Sequence, residues 1–460
     1  MQSRAGLADH IHTWSICLAM AIFALISGSL AVAQQSLPSI ESQSYRVGVT
    51  TEFVEDSGMI VDAEQQSLPQ DVLTLESLES SALASNPSIA RAAAMVGAAR
   101  GRALQVGLRP NPEVGFDLQQ LGSNGQAEQY GVSIGQELVR REKLQLNRST
   151  ALHDVQRMQQ ELAAQRQRVL TDVRIAYIRV LRAQRQVELT QQLVDIGAKG
   201  VSVAMELFTA QEVGRGDVLQ AELEVESASV LRENAENRHS AAWRELASVT
   251  GQASLVPQPL AGAITDSGNE ILFEEALAQL RNQSPEVAAV WATIQRSRCN
   301  LQRQQIEPRP NLTVQGLINW RDNGIGGDAD GGVSVSLPLP LWNKNQGGIR
   351  EARQQLIAAE RELEQIELGL KNRLAPVFER YRNAQQQVDR YRERILPKAA
   401  ETLQLTREAY ELGEINFVNL LTVQRTYANN QLAYLDSLET LRLAETEING
   451  LLLSGSLGNR

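Results

Sequence analysis

GGVSVSLPLPLWNKNQGGIREA, residues 331–352, changes its periodicity within one short segment. Val333, Val335, Leu337, Leu339 and Leu341 alternate with Ser334, Ser336, Pro338 and Pro340, the period of two that marks a strand with one apolar and one polar face. Proline has no N–H to give a sheet ladder, so Pro338 and Pro340 mark where pairing must stop. Gly347 and Gly348 then offer backbone freedom for a turn, and Ile349 opens a helical pattern. The segment is a strand running into a helix, with Val333, Val335 and Leu337 on one face and Ser334 and Ser336 on the other.

Working outward, the same order of elements occurs twice, about 200 residues apart. LRPNPEVGF (108–116) lies against PRPNLTVQG (308–316), so that Arg109, Pro110 and Asn111 recur as Arg309, Pro310 and Asn311. GVSIGQEL (131–138) matches GVSVSLPL (332–339), and EVGRGDVLQA (212–221) resembles ELGEINFVNLL (411–421) with a small gap. Each half reads helix, RPN, strand, loop, strand, long helix, glycine break, helix. The expected repeats are 73–250, with strands at about 112–121 and 129–138, and 270–452, with strands at about 311–320 and 332–341. A Pro-, Gly- and Ser-rich linker, 251–269, joins them, and 453–460 is left as a C-terminal tail. A duplication this long predicts a pseudo-symmetric fold rather than a solenoid. IGQELVRREKL makes the strand-to-helix passage of the first half without proline, so the prolines are not its essential part.

From Gly348 to Leu412 the helical pattern is nearly continuous. Ile349, Leu356, Leu363, Leu370, Val377, Ala384 and Tyr391 recur every seven residues, and Val173, Val180, Val187, Val194 and Val201 do so in the first half. A seven-residue apolar period specifies a coiled-coil seam. Some 65 residues of helix extend about 100 Å at ~1.5 Å per residue, and Pro376 and Pro397 should kink this rod without ending it.

At the N-terminus an apolar run from Trp14 to Val32 ends in Ala31, Val32, Ala33 and Gln34. It reads as a secretory signal over 1–33, and the competing reading is a membrane anchor near the lower length limit of a spanning helix. Residues 34–72 are polar, contain QQSLP twice and form an expected flexible leader. Beyond the signal only Cys299, His153 and His239 remain as Cys or His, too few and too scattered for a disulfide or a ligand cluster. The net charge of -10 with both signs mixed argues against nucleic acid as a partner. No Walker loop, nucleophile elbow or metal-ligand spacing is present, so neither catalysis nor a cofactor is expected.

Strands of this length fit a bilayer when tilted, but four cannot close a lipid-exposed barrel, for which the minimum is about eight. If they span a membrane, several copies must share one barrel. A soluble half-buried sheet is the alternative on alternation alone. Signal, duplicated strand pair and long rods together describe a short membrane β-barrel continued by a helical barrel.

From about residue 73 to 452 the sequence resembles the outer-membrane efflux (TolC) family, and LPLPLWNKNQGGI most resembles the branch serving cobalt/zinc/cadmium-type resistance-nodulation-division exporters. The resemblance implies a mainly α fold with a small β part: a homotrimer whose 12-stranded outer-membrane barrel continues into a periplasmic α-helical coiled-coil barrel. It also implies a passive exit duct coupled to a periplasmic adaptor and an inner-membrane pump, with heavy-metal cations as one implied cargo. A periplasmic coiled-coil adaptor or scaffold is the competing function, which explains the heptads but not two strand pairs.

By the same resemblance, the helical hairpins turn at the periplasmic tip near Gly214 and Gly413, and the helix after each break lines a gate. Asp217 matches the acidic position of the first motif, and Tyr410 and Gly413 match the YxxG of the second. Asn419 and Thr422 stand where some relatives carry acidic gate residues, and Ile415 stands where some carry an arginine latch. Closure by packing and polar contacts around Asp217, Tyr410, Asn419 and Thr422 is therefore expected in place of a buried charge latch. At the barrel end, Trp342 would sit at the headgroup level beside Pro338 and Pro340.

Overall fold

The computed structural model describes residues 73–121, 127–252, 255–264, 270–320, 329–412 and 414–458. The chain divides into Met1–Gln66, none of which is among the described residues, and Ser67–Arg460, to which everything below refers. The expected signal and leader therefore lie outside the described residues, as do Gly413 and parts of the expected linker and tail.

The first half runs α1 (Leu75–Ser85), α2 (Pro87–Gln105), β1 (Glu113–Leu121), β2 (Ala127–Leu138), α3 (Arg141–Thr209) and α4 (Arg215–Thr250). The second runs α5 (Phe273–Gln283), α6 (Pro285–Ile306), β3 (Leu312–Trp320), β4 (Asp330–Ser336), α7 (Gln346–Arg390), a π-helical turn (Tyr391–Ile395), α8 (Leu396–Glu411) and α9 (Phe417–Asn449). Both halves break their first helical segment with one device. Asn86 accepts from Ser88 N at 2.9 Å and Ser284 from Glu286 N at 3.3 Å, each followed by proline at the first helical position, where a missing N–H costs nothing. Asn86 Nδ2 also donates to Val249 O at 2.8 Å, which docks the end of α4 on this break.

The four strands form one antiparallel sheet in chain order, and β2–β3 pairing, from Tyr130↔Trp320 to Leu138↔Leu312, joins the two halves. Val114, Phe116 and Leu118, Val132 and Ile134, Ile318 and Trp320, and Val333 and Val335 share one face by register, and all are exposed. The opposite face carries Asp117, Gln129, Ser133, Thr313, Gln315 and Asn319. Strand β4 stops at Ser336, short of the 332–341 expected from alternation. Pro338 and Pro340 cannot donate to β3, and beyond them the Leu341 N–H turns back to Leu339 O at 2.9 Å. Leu337, Leu339 and Leu341 keep the apolar alternation, exposed, without the ladder.

Helix α3 is unbroken for 69 residues, about 100 Å at ~1.5 Å per residue. Its seam differs from the expected valine row. Val173 and Val180 are fully buried, but Val187, Val194 and Val201 are only half-buried, and the continuous buried row is Ala176, Ala183, Thr190, Gly197 and Ala204. Helix α4 answers with Ala221, Ala228, Ala235 and Ala242, also seven apart and buried. Small residues on both sides let the antiparallel helices approach closely: a Cβ on Gly197 would lie 3.1 Å from Val225 Cγ2. In α7 the expected row is one of two. Ala352, Ala359 and Ile366 run three residues behind it, and Leu374, Tyr381 and Val388 continue four behind. That one-residue step takes up the mismatch between 3.6 residues per turn and a seven-residue repeat.

Pro376 lies inside α7 without ending it, whereas Pro397 follows the π turn. In the wider turn Leu396 N–H reaches Tyr391 O, so the rod continues past a residue that cannot donate to the carbonyl four residues back. Among the described residues no helix is long and apolar enough to cross a membrane.

The chain end packs back on α3. Leu453 is fully buried, and Asp172 accepts from Gly455 N at 2.9 Å and Ser456 N at 2.6 Å. At the end of α9, a Cβ on Gly450 would collide with Thr171 Oγ1 and lie 2.9 Å from its Cγ2, and Thr171 is itself fully buried. Gly450→Ala should therefore lower stability by about 1–3 kcal/mol through overpacking. Gly97→Ala, into open space on α2, should leave stability equal or higher. Thermal unfolding followed by helical circular dichroism checks the pair; equal midpoints would refute the close α3–α9 contact.

Candidate functional site

Two places gather the residues singled out by sequence: the junction between sheet and helices, and the far tips of the helical hairpins. At the junction, the RPN segments hold crossing chains together. Gln136 Nε2 donates to Pro110 O at 2.9 Å, and Arg140 Nε donates to Pro310 O at 3.0 Å. Asn311 Nδ2 donates to Glu137 at 2.8 Å, and Arg309 pairs with Glu142 at 2.5 Å. Both motifs thus give the β2-to-α3 exit a carbonyl to bind, one through Gln136 and the other through Arg140. Lys143, 3% exposed, sits beneath this crossing. It donates to Glu307 O at 2.9 Å and faces the Glu307 carboxylate at 3.5 Å, which Arg303 also pairs. Partial burial works against the Glu307 charge, but Arg303 and Lys143 outweigh it and hold the carboxyl below the usual glutamate value.

The second junction corrects the role expected of the glycines. Neither Gly347 nor Gly348 has positive φ; the left-handed residue is Asn345, φ 57°. Its Nδ2 donates to Gln304 O at 2.9 Å and Gln304 Oε1 at 2.7 Å, which stabilises a conformation asparagine tolerates better than most residues. Gly348 is needed for space, because a Cβ there would collide with Asn345 Oδ1, whereas one on Gly347 would meet nothing. Trp342 is 87% exposed, and Pro338 and Pro340 lie in the irregular segment leading to it.

At the tip, α3 ends in a Schellman turn: Gln211 N–H bonds Phe208 O at 3.0 Å and Glu212 N–H bonds Leu207 O at 2.9 Å, with Gln211 left-handed at φ 63°. Gly214 is thus not the turning residue. It is the extended N-cap of α4, and its N–H donates to Asp217 Oδ2 at 3.1 Å. In the second hairpin Glu414 N–H bonds Ala409 O at 2.9 Å, and Asn416 caps α9 by accepting from Asn419 N at 3.0 Å. Asp217 and Asn419 are therefore both third residues of their helices.

The structure brings Asp217 and Tyr410 together from opposite halves. Tyr410 is buried with Ala204, Val218, Ala221, Leu403, Leu420 and Leu421; burial first, and the Asp217 charge second, push its phenol up. Asn419 and Thr422 do not join them. Both are exposed, and the Thr422 hydroxyl donates to Val418 O at 2.8 Å within its own helix. Sequence reading missed Arg425, which reaches from α9 to Glu224 on α4, with Nε and Nη2 at 2.9 and 2.5 Å from Oε2. No local pattern marks a pair 201 residues apart. Among the described residues no three His, Cys, Asp or Glu side chains come together to hold a metal.

An edge-open sheet with an exposed apolar face, continued by hairpin rods that end in capped tips, defines a barrel-and-tunnel membrane channel. The family model described as "outer membrane efflux protein" matches residues 78–252 and 276–452, and the chain belongs to that family of outer-membrane proteins, whose helical part lies in the periplasm. It is 25% identical over 380 residues to the cobalt-zinc-cadmium resistance protein CzcC of Cupriavidus metallidurans, covering 83% of this chain and 90% of that protein. It is 24% identical to the outer membrane protein TolC of Vibrio cholerae, covering 64% and 69%. Among solved structures, CusC superposes with a TM-score of 0.69 at 15% identity, covering 83% of this chain and 92% of that one. The outer membrane protein VceC of Vibrio cholerae gives 0.66 at 16%, covering 83% and 96%. These two likenesses speak for the fold.

The junction makes an asymmetric prediction. Glu307→Gln leaves buried Lys143 without its counter-charge and should cost on the order of 3 kcal/mol. Lys143→Met leaves Glu307 paired with Arg303 and should cost under about 1 kcal/mol. Because the Glu307 pKa is depressed, its contribution is present above the ordinary glutamate range and is lost as pH falls through the folded value. Unfolding midpoints of both variants between neutral and acidic pH check the ordering; a larger loss in Lys143→Met would contradict it.

Proposed function

We propose that this chain is one of three copies forming a passive exit duct for an inner-membrane resistance-nodulation-division pump, joined to it by a periplasmic adaptor at the hairpin tips. The observation that supports this reading most is the four-stranded sheet with two unpaired edges and one exposed apolar face. In hydrocarbon those edges need partners, and three copies supply twelve strands. Transport through such a duct is driven elsewhere, so the chain carries no catalytic step. Similarity to a cobalt-zinc-cadmium resistance protein favours divalent heavy-metal cations as cargo. Metal sensitivity of a strain lacking the gene tests the cargo: restored growth on cobalt, zinc or cadmium with this chain supports it, and unchanged sensitivity opposes it.

In this reading the tip is the gate. The Tyr410 cluster packs α8 and α9 against α3 and α4, and Arg425–Glu224 ties the same hairpins at the surface. The ion pair is largely solvated on the arginine side and is worth at most about 1 kcal/mol, so packing around Tyr410 dominates closure. Planar-bilayer recordings test this. Tyr410→Ala should raise the resting current several-fold, Asp217→Ala should raise it too, and Arg425→Ala should raise it less than Tyr410→Ala. Resting currents unchanged in both Tyr410→Ala and Asp217→Ala would reject the gate.

A further inference from the structure

On the polar face of the sheet, Asp117, Gly131, Asn319 and Asp330 form one transverse row through consecutive strand partners. The neighbouring row is Gly115, Ser133, Leu317 and Gly332. Asn319 is 7% exposed, and its Oδ1 lies over Gly131, in the space a Cβ there would take, while Asp117 is the partner of Gly131 on the opposite strand. Ser133, also buried, lays its Oγ over Gly115, 2.7 Å from where a Cβ would stand, and Asp117 Oδ2 is 4.0 Å from the same point. Two oxygens thus stand near the Gly115 position and a third over Gly131, two residues along the face on the next strand, with Leu317 Cδ1 beside the latter.

Asp117 Oδ2 and Asn319 Oδ1 are buried, and among the described residues neither accepts a hydrogen bond. Leaving a buried acceptor unmatched costs about 1–3 kcal/mol, and more when it is charged. Two such acceptors on one transverse row, one of them a carboxylate, favour positive charge in the gap left by the glycine between them. The glycines are required by the arrangement, since any side chain at 115 or 131 would fill the gap.

We propose that Asp117 Oδ2, Asn319 Oδ1 and Ser133 Oγ bind a hard divalent cation of the calcium or magnesium class, with water completing its shell. Carboxylate, amide and hydroxyl oxygens suit such ions and offer nothing soft for a thiophilic metal. A single carboxylate places the affinity at the weak end of protein calcium sites, around 10⁻⁴–10⁻³ M. The site lies within one chain, so it does not depend on how many copies assemble or on what the duct carries.

Terbium luminescence of the purified full-length protein in detergent, with calcium as competitor, tests the site. A saturable, calcium-displaceable signal is expected. Asp117→Asn, close to isosteric, should weaken it at least about tenfold, and Gly131→Ala should abolish it with the helical signal intact. Asn319→Asp adds ligand charge and should tighten binding several-fold. Glu113→Gln, on the same face nearer the helices, should change nothing. The inference is overturned if no displaceable signal appears up to about ten times the expected dissociation constant. It is also overturned if Asp117→Asn binds like the parent, or if Asn319→Asp abolishes binding, which would show the amide serving as a donor to Asp117.

Discussion

A β-strand edge carries unpaired N–H and C=O groups, and in hydrocarbon nothing but another strand can satisfy them. This chain presents its sheet with β1 and β4 both open and with Val114, Phe116, Val333 and Val335 exposed along the same face. Four strands are too few to curl closed, so the edges set the rest of the design. The duplication gives each chain two hairpins instead of one, and β2–β3 pairing fuses them into a single sheet. The long helices then begin where the sheet ends, so each chain continues from barrel wall to tunnel wall without a flexible linker.

That continuity is achieved differently in the two halves. The first passes from Leu138 to Arg141 almost directly, steadied by Arg140 on Pro310 O and by Lys143 beneath the crossing. The second uses prolines to end pairing, a left-handed asparagine at the start of the helix and a glycine to make room for that asparagine. The helices solve a parallel problem of reach. Rows of small residues let α3 and α4 run close together along their length, and a π turn carries the α7–α8 rod past Pro397. At the tips, where the hairpins turn, burial of Tyr410 beside Asp217 couples the two halves far from the sheet.

Much of this is local and so was readable from sequence. Alternation at 312–320 and at 333–336 fixes strand faces, Pro338 marks the end of β4, and the repeated RPN announces the duplicated transition. The sites of reversal were not readable in the same way. Gly214, Gly347 and Gly348 look like turning residues, yet the left-handed positions belong to Gln211, held by bonds across its turn, and to Asn345, held by its side chain on Gln304 of a neighbouring helix. The alanine row of α3 is not legible in the sequence, because small residues carry little apolar signal until the opposing row on α4 is known. Arg425 with Glu224, and Asn319 in one row with Asp117, bring together residues some two hundred positions apart, a distance over which periodicity says nothing. Asn419 and Thr422 show the reverse limit: their positions suggest a gate, but their exposure leaves the packed centre to Leu420 and Leu421.

In the proposed trimer the two open edges pair between copies. In a Cys299→Ser background, cysteines at Val114 or Phe116 on β1, combined with Val333 or Val335 on β4, would share the apolar face on adjoining strands. Oxidation in the membrane followed by non-reducing electrophoresis should yield covalent dimers and trimers from at least one combination, and nothing larger. Monomers from every combination, or a ladder extending beyond three, would contradict a closed barrel of three chains.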